Sequence, residues 1–312
     1  MSTPTAFTEL VGCAVPVQLA PMGGGVGTPE LAAAVCAAGG LGMISSFGPA
    51  PLATQLAYLR THAAEPYGVG FFAFAVDAVT GDLEAAAEAC RVVDVFWGDP
   101  DAGLVSRIHA GGALAFWQVG KRDDALAAAD AGCDAVVLQG VEAGGHVRGT
   151  EPLLDLLEQT CAALTVPVVA AGGIATGKHV RRVFESGASA VRVGTRLLAT
   201  TESAAHAAYL AALVAAGEGD TELTTAFHIG WEDAPHRVLR DSILAARTSE
   251  EPFAWLESGG DRTPLRRWSA MPPTLSCAGE VTAMAMYAGS GVADIAGVLS
   301  VADAIELLLR VE

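Results

Sequence analysis

His146 stands behind two adjacent glycines, Gly144 and Gly145, in the run LQGVEAGGHVRG (138–149). An apolar segment, DAVVL, leads into this run, which opens with Gln139 just beyond it. A helix does not hold Gln, Glu, a glycine pair and His together comfortably, so the run reads as the exit of a buried strand. An imidazole placed there, neutral near physiological pH, can take or lend a proton. A lone His is more often structural; the strand end and the glycine hinge single this one out. Glu142 is a second candidate base, but a Glu before glycines at a strand end more often accepts backbone N–H bonds, and that role is expected here.

Two further stretches suit an anion. AAGGI (170–174) and VGTRLL (193–198) each follow an apolar run, and each brings close-approach glycines. Backbone N–H groups bared at Gly172, Gly173 and Gly194 can hold a phosphate, with the Thr195 hydroxyl beside them. Taken singly, such glycines only permit tight turns; their pairing at two successive strand exits points to phosphate binding. No serine-hydrolase elbow, H-E-x-x-H or metal-ligand cluster is legible. The six cysteines are widely spaced and sit mostly in apolar segments, as small buried hydrophobes do.

The elements that must carry these groups follow a clear rhythm. Short β-rich runs at 15–22, 41–46, 67–75, 91–98, 113–120, 134–140, 166–174 and 188–198 alternate with Ala- and Leu-rich helical stretches. The first helix has a capping Thr28, Pro29 in its first turn and Gly39 at its end. Eight βα units in about 217 residues predict an α/β fold of the (β/α)8 TIM-barrel class. An open doubly wound sheet is the alternative, but the glycines of PMGGGVG (21–27) do not match its G-x-G-x-x-G turn. In a barrel, the strand exits named above converge on one mouth. Beyond residue 217 the alternation stops. Residues 1–217 read as the barrel, and residues 218–280 as an irregular helical excursion over its mouth. Residues 281–312 read as C-terminal helices packing back on the barrel, with 280–289 helical.

The chain has 35 acidic and 18 basic residues among its 312, a net charge of −17. That balance argues against a nucleic-acid or anionic-membrane partner. The start, MSTPTAFTEL, lacks the basic and apolar regions of a signal peptide, and 31–44 is apolar but split by glycines. A reducing, cytoplasmic setting is expected.

APM (20–22), QGVEAGGH (139–146), AAGGI (170–174), GTRLLATTES (194–203) and YAGSGV (287–292) together resemble the nitronate monooxygenase family, formerly the 2-nitropropane dioxygenases. They occur in family order over nearly the whole chain. The resemblance implies a TIM barrel that binds FMN non-covalently, with a smaller helical part over the flavin. Its implied cofactor set is Ala20, Pro21, Met22, Gly70, Gln139, Gly144, Gly145, Gly172, Gly173, Gly194 and Thr195. Met22 would meet the flavin through its backbone, Gln139 would contact the ring or ribityl chain, and the glycines with Thr195 would surround the phosphate. His146 would be the catalytic base or substrate-orienting group. The chain departs from the family in three places: Gly70 stands where an Asn is usual, Arg192 where a Gln is common, and Ser290-Gly291 where Gln-Gly usually follows the C-terminal Y-A-G motif. Arg192 is a candidate partner for the phosphate.

The implied reaction oxidises an alkyl nitronate, or a nitroalkane, with O2 to a carbonyl compound and nitrite. Phe71, Phe72, Phe74 and Trp117 are candidates for a pocket limiting it to small alkyl groups. The rival is an NAD(P)H-dependent FMN reductase acting on a quinone or enoyl thioester, with Arg237, Arg240, Arg266 or Arg267 receiving the nicotinamide phosphates. A flavin-binding protein without turnover is a third reading. A homodimer is compatible with the chain, which does not itself fix the oligomeric state.

Overall fold

The computed structural model describes residues 4–310. A short helix absent from the sequence reading, α1 (Ala6–Val11), comes first, with Thr5 and Thr8 in a reciprocal cap. Arg91 donates to the carbonyls of Leu10 and Val11. Arg91 precedes a barrel strand, so α1 is fixed at the end of the barrel where the strands begin.

The eight expected βα units follow. They are β1 (Val17–Leu19) and α2 (Pro29–Ala37), β2 (Gly42–Ser45) and α3 (Leu52–His62), β3 (Tyr67–Phe72) and α4 (Asp82–Ala89), and β4 (Val92–Phe96) and α5 (Ala102–Ala110). Then come β5 (Leu114–Val119) and α6 (Arg122–Asp130), and β6 (Ala135–Gln139), a two-residue strand β7 (Gly145–His146) and α7 (Leu153–Thr160). Last are β8 (Val168–Ala171) and α8 (Gly177–Glu185), and β9 (Ala190–Val193) with α9 (Thr195–Leu198) and α10 (Ala207–Ala215).

The parallel sheet runs β1-β9-β8-β6-β5-β4-β3-β2. A parallel bridge between Gln18 and Leu41 joins its two edges, so the barrel closes. Both strand faces are covered, which is why these runs are almost wholly apolar. Side-chain caps on Thr28, Asp101 and Thr176 start α2, α5 and α8 where each strand exit ends.

The remaining chain differs from the helical excursion expected. It contains β10 (Thr221–Thr224), β11 (His236–Leu239), α11 (Arg240–Thr248), β12 (Ala254–Ser258), β13 (Asp261–Leu265), β14 (Cys277–Gly279) and α12 (Val301–Leu309). The strands form two small antiparallel sheets, β10-β11-β7 and β13-β12-β14. Only α11 is helical within 218–280. The turn from β12 to β13 is Gly259-Gly260, both at positive φ, a paired-glycine hairpin signal legible in the sequence. The expected helix at 280–289 is instead a three-residue 3-10 turn, Val281–Ala283. Beyond it, Met286 and Ala288 bond the backbone of Leu239 and Arg237. Pairing with β11 thus overrides the helix propensity of an Ala- and Met-rich run. Phe227, Val238, Ile243, Phe253, Val281 and Met284 give this part a core of its own. Val301, Ala304, Ile305 and Leu308 of α12 are buried in the barrel's main core. Among the described residues, no helix is long and apolar enough to cross a membrane.

Candidate active site

A cavity of about 420 Å³ opens where the barrel strands end. Every residue of the implied set lines it: Ala20, Pro21 and Met22 after β1, Gly70 in β3, Gln139, Gly144, Gly145 and His146 after β6, Gly172 and Gly173 after β8, Gly194 and Thr195 after β9. The fold therefore brings together groups spread over 176 positions of sequence, from 20 to 195.

His146 is held in an unexpected way. Its segment, β7, pairs antiparallel with β11, so that His146 lies opposite His236 and Gly145 opposite Arg237. Gln139 secures the same loop from below: its amide nitrogen donates to the His146 carbonyl at 3.0 Å, and its amide oxygen accepts from the Arg148 N–H at 3.3 Å. Gln139 thus lines the cavity while both ends of its amide hold backbone. Glu142 accepts from the Leu153 N–H at the start of α7, the structural role expected of it.

The imidazole of His146 has its Nε2 buried without a partner. Burial pushes its pKa down to about 3, and the neighbouring His236 adds to the depression. His146 is therefore held neutral, the state in which an imidazole can accept a proton. His236 is itself neutral and of fixed tautomer: Nε2 accepts from the Phe227 N–H and Nδ1 donates to the Ala234 carbonyl. Trp231 stacks on His146 with centroids 3.9 Å apart, and Tyr287 stands 5.7 Å away. The helical histidines have local partners instead; His206, for one, caps α10.

Two of the departures from the family pattern are explained by geometry. A Cβ on Gly70 would lie 2.5 Å from Pro21 Cβ, so the Pro21 ring occupies the space of a side chain. Arg192 does not reach towards the glycine exits as a phosphate partner. It is 4% exposed and makes a bidentate pair with Asp94, at 2.7 and 3.0 Å. Its guanidinium also donates to Gln118 and Gln18. Burial raises the Asp94 pKa, and the guanidinium opposes the rise. Since Arg does not lose its proton, a carboxylate at Asp94 is what neutralises this charge within the barrel. Asp94 and Arg192 both line the cavity. A lone Asp inside RVVDVFWG was the sequence signal for this pair.

The expected pocket aromatics divide. Phe71 and Phe72 line the cavity, but Phe74 and Trp117 do not. Trp117 is core, its indole donating to the Gly98 carbonyl. Phe47, Phe96, Trp231 and Tyr287 line it instead. None of Arg237, Arg240, Arg266 and Arg267 does so. Arg237 donates to the Val141 carbonyl, Arg240 to that of Gly219 and Arg267 to that of Ser249.

The sequence model of one family, described as nitronate monooxygenase, matches residues 5–92 and 81–310. The chain belongs to the nitronate monooxygenase family. Like other members it is a flavin-dependent oxidoreductase, and FMN is the cofactor this family implies. Among curated relatives, a (3aS,4S,5R,7aS)-5-hydroxy-7a-methyl-1-oxo-octahydro-1H-indene-4-carboxyl-CoA dehydrogenase of Rhodococcus jostii is 34% identical over 242 residues, 77% of this chain and 67% of that protein. Among solved structures, FabK of Thermotoga maritima superposes with a TM-score of 0.79 at 27% identity, covering 99% of this chain and 96% of the other. A nitroalkane oxidase of Streptomyces ansochromogenes gives 0.78 at 30% identity, covering 97% of each. The chain is thus similar both to a carboxyl-CoA dehydrogenase and to a nitroalkane oxidase.

The cavity fits the family's cofactor. Gly194 has no neighbour to its absent side chain except Ala20 Cβ at 3.6 Å, so a larger residue would stand in the cavity. Gly172 and Gly173 take φ of +123° and +67°, which keeps side chains out of the facing exit.

Proposed function

We propose that this protein oxidises nitroalkanes and their nitronates with FMN and O2, giving a carbonyl compound and nitrite. The carrying observation is His146: a neutral imidazole, its Nε2 without a partner, lining the same cavity as the glycines of β8 and β9. FMN when bound supplies the electron acceptance that no side chain offers. Gly172, Gly173, Gly194 and Thr195 would hold its phosphate, and Met22 would lie along the ring. The chain's own task is proton handling and exclusion of water. His146 Nε2 takes the α-proton of a neutral nitroalkane; a preformed nitronate needs no such step. Gln139 and β11 fix the imidazole through the backbone of its loop. Similarity to a nitroalkane oxidase across nearly the whole chain supports this reading.

Similarity to a carboxyl-CoA dehydrogenase favours a second reading, electron exchange between the flavin and NADH or NADPH. The arginines that would receive a nicotinamide's phosphates line no part of the cavity, which weighs against it. Anaerobic mixing of the FMN-loaded protein with propionate 3-nitronate, a nitroalkane, NADH and NADPH in turn decides between them. Bleaching of the flavin by the nitro compounds alone is expected; bleaching by the nicotinamides alone would overturn the proposal.

Two outcomes follow from the site. Gly194→Val should leave the fold intact and lower FMN affinity by tenfold or more, read from flavin absorbance after dialysis; full flavin content would remove Gly194 from the cradle. The pH profile should also be unusual. Protonation of His146 begins only near its depressed pKa of about 3, so kcat/KM for a neutral nitroalkane should stay level from pH 7 to pH 5. A tenfold fall centred near the ordinary imidazole value would show a different base, or a His146 that is solvated in the loaded enzyme.

A further inference from the structure

Aromatic rings run in a continuous track from His146 to solvent. Trp231, stacked on His146, meets Phe72 edge-on with centroids 4.5 Å apart. Phe72 stacks on Phe74 at 5.6 Å and 8°, and Phe47 meets Phe72 edge-on at 5.8 Å. The outer rings are open to water: Phe47 is 58% exposed and Phe74 62%. Two large bare rings side by side, on a chain of net charge −17, are disfavoured by hydration unless something covers them in use.

Position says what covers them. The track rises from the exits of β2 and β3, which β1 separates from the glycine exits of β9 and β8 on one side and β4, β5 and β6 on the other. It therefore lies at the end of the cavity that a phosphate does not claim, and it is continuous with the cavity through Phe47, Phe72 and Trp231. Among the described lining residues Arg192 is the sole Lys or Arg, and Asp94 already neutralises it. Nothing along the track would compensate a charged substituent.

The geometry points to substrates in which the nitro-bearing carbon carries a long or cyclic uncharged hydrocarbon body, lying on Phe47, Phe72 and Phe74 while the reacting carbon reaches His146. This inference rests on the function proposed above, and it replaces the expectation of small alkyl groups. That expectation assumed rings enclosing the pocket, whereas Trp117 is core and Phe74 faces solvent.

The test is a chain-length series on the FMN-loaded enzyme, from nitroethane through 1-nitrobutane and 1-nitrohexane to 1-nitrooctane. The kcat/KM should rise by roughly threefold per methylene until the track is covered. In a Phe47→Ser/Phe74→Ser double variant, the ratio of kcat/KM for nitrooctane to that for nitroethane should fall at least tenfold. A flat series, or an unchanged ratio, overturns the inference. So does a variant that only abolishes concentration-dependent self-association, since the rings would then belong to a subunit interface. If no nitro compound reacts at all, the proposed function fails, and binding of redox-inert 1-octanol then decides the track alone. Saturable change in tryptophan fluorescence with octanol but not ethanol, lost in the double variant, supports an apolar-body site; no saturable change overturns it.

Discussion

His146→Asn should lower turnover of a neutral nitroalkane by at least ~100-fold, the usual contribution of a positioned general base, while FMN content stays unchanged. A nitronate made beforehand should lose far less, because its α-proton is already gone. The contrast between the two substrates separates proton transfer from general damage to the site. Equal losses on both would make His146 a positioning group rather than a base, and no loss on either would dismiss it. The same substitution carries a stability signature of predictable sign. The unfolded chain binds a proton at an ordinary imidazole near 6.5, whereas native His146 resists protonation down to about 3. Stability attached to this residue is therefore present above pH 6.5 and is lost as pH falls below it. Acid unfolding of the Asn variant should begin at a lower pH than that of the parent.

Asp94→Ala should destabilise the protein by roughly 3–5 kcal/mol, seen as a lowered midpoint of denaturant unfolding. Asp94 is fully buried, and its removal strands the Arg192 guanidinium among the barrel strands. Gln18 and Gln118 would remain as its partners, and neutral amides do not replace a carboxylate. The pairing of Asp94→Asn with Arg192→Gln should recover most of the loss, because charge and counter-charge leave together. A single Asp94→Ala change costing less than about 1 kcal/mol would show that water reaches and solvates the stranded guanidinium.

The barrel was legible because its code is periodic. Each strand is an apolar run, and α2, α3, α5, α7 and α8 start at Thr28, Pro51, Asp101, Pro152 and Thr176, so the eight units could be counted from local signals. The mouth followed from the barrel: once strands end together, so do Gln139, Gly172 and Gly194. What escaped the sequence depends on partners far along the chain. Residues 286–288 carry helix-forming types and became extended because β11 offered them hydrogen bonds. Arg192 was legible as a departure from the family, but its Asp94 partner lies 98 positions away, and nothing local joins them. Trp231 and Phe47 entered the cavity for the same reason: they come from loops whose path the local pattern does not specify. Gly70 shows the opposite case, since its missing side chain is dictated by Pro21, which the family motif had already marked.

The pairing of β7 with β11 ties the covering region to the reacting group. Cover and proposed base are then one mechanical piece, and neither can be exchanged alone. A chimaera that grafts a relative's cover onto this barrel must bring a strand able to receive Gly145 and His146 in the same register. Without it Gln139 alone would hold the loop that carries the imidazole. Diversification of substrate in such a scaffold is thereby steered into the loops between the cover's strands, and away from the strand that pairs with His146.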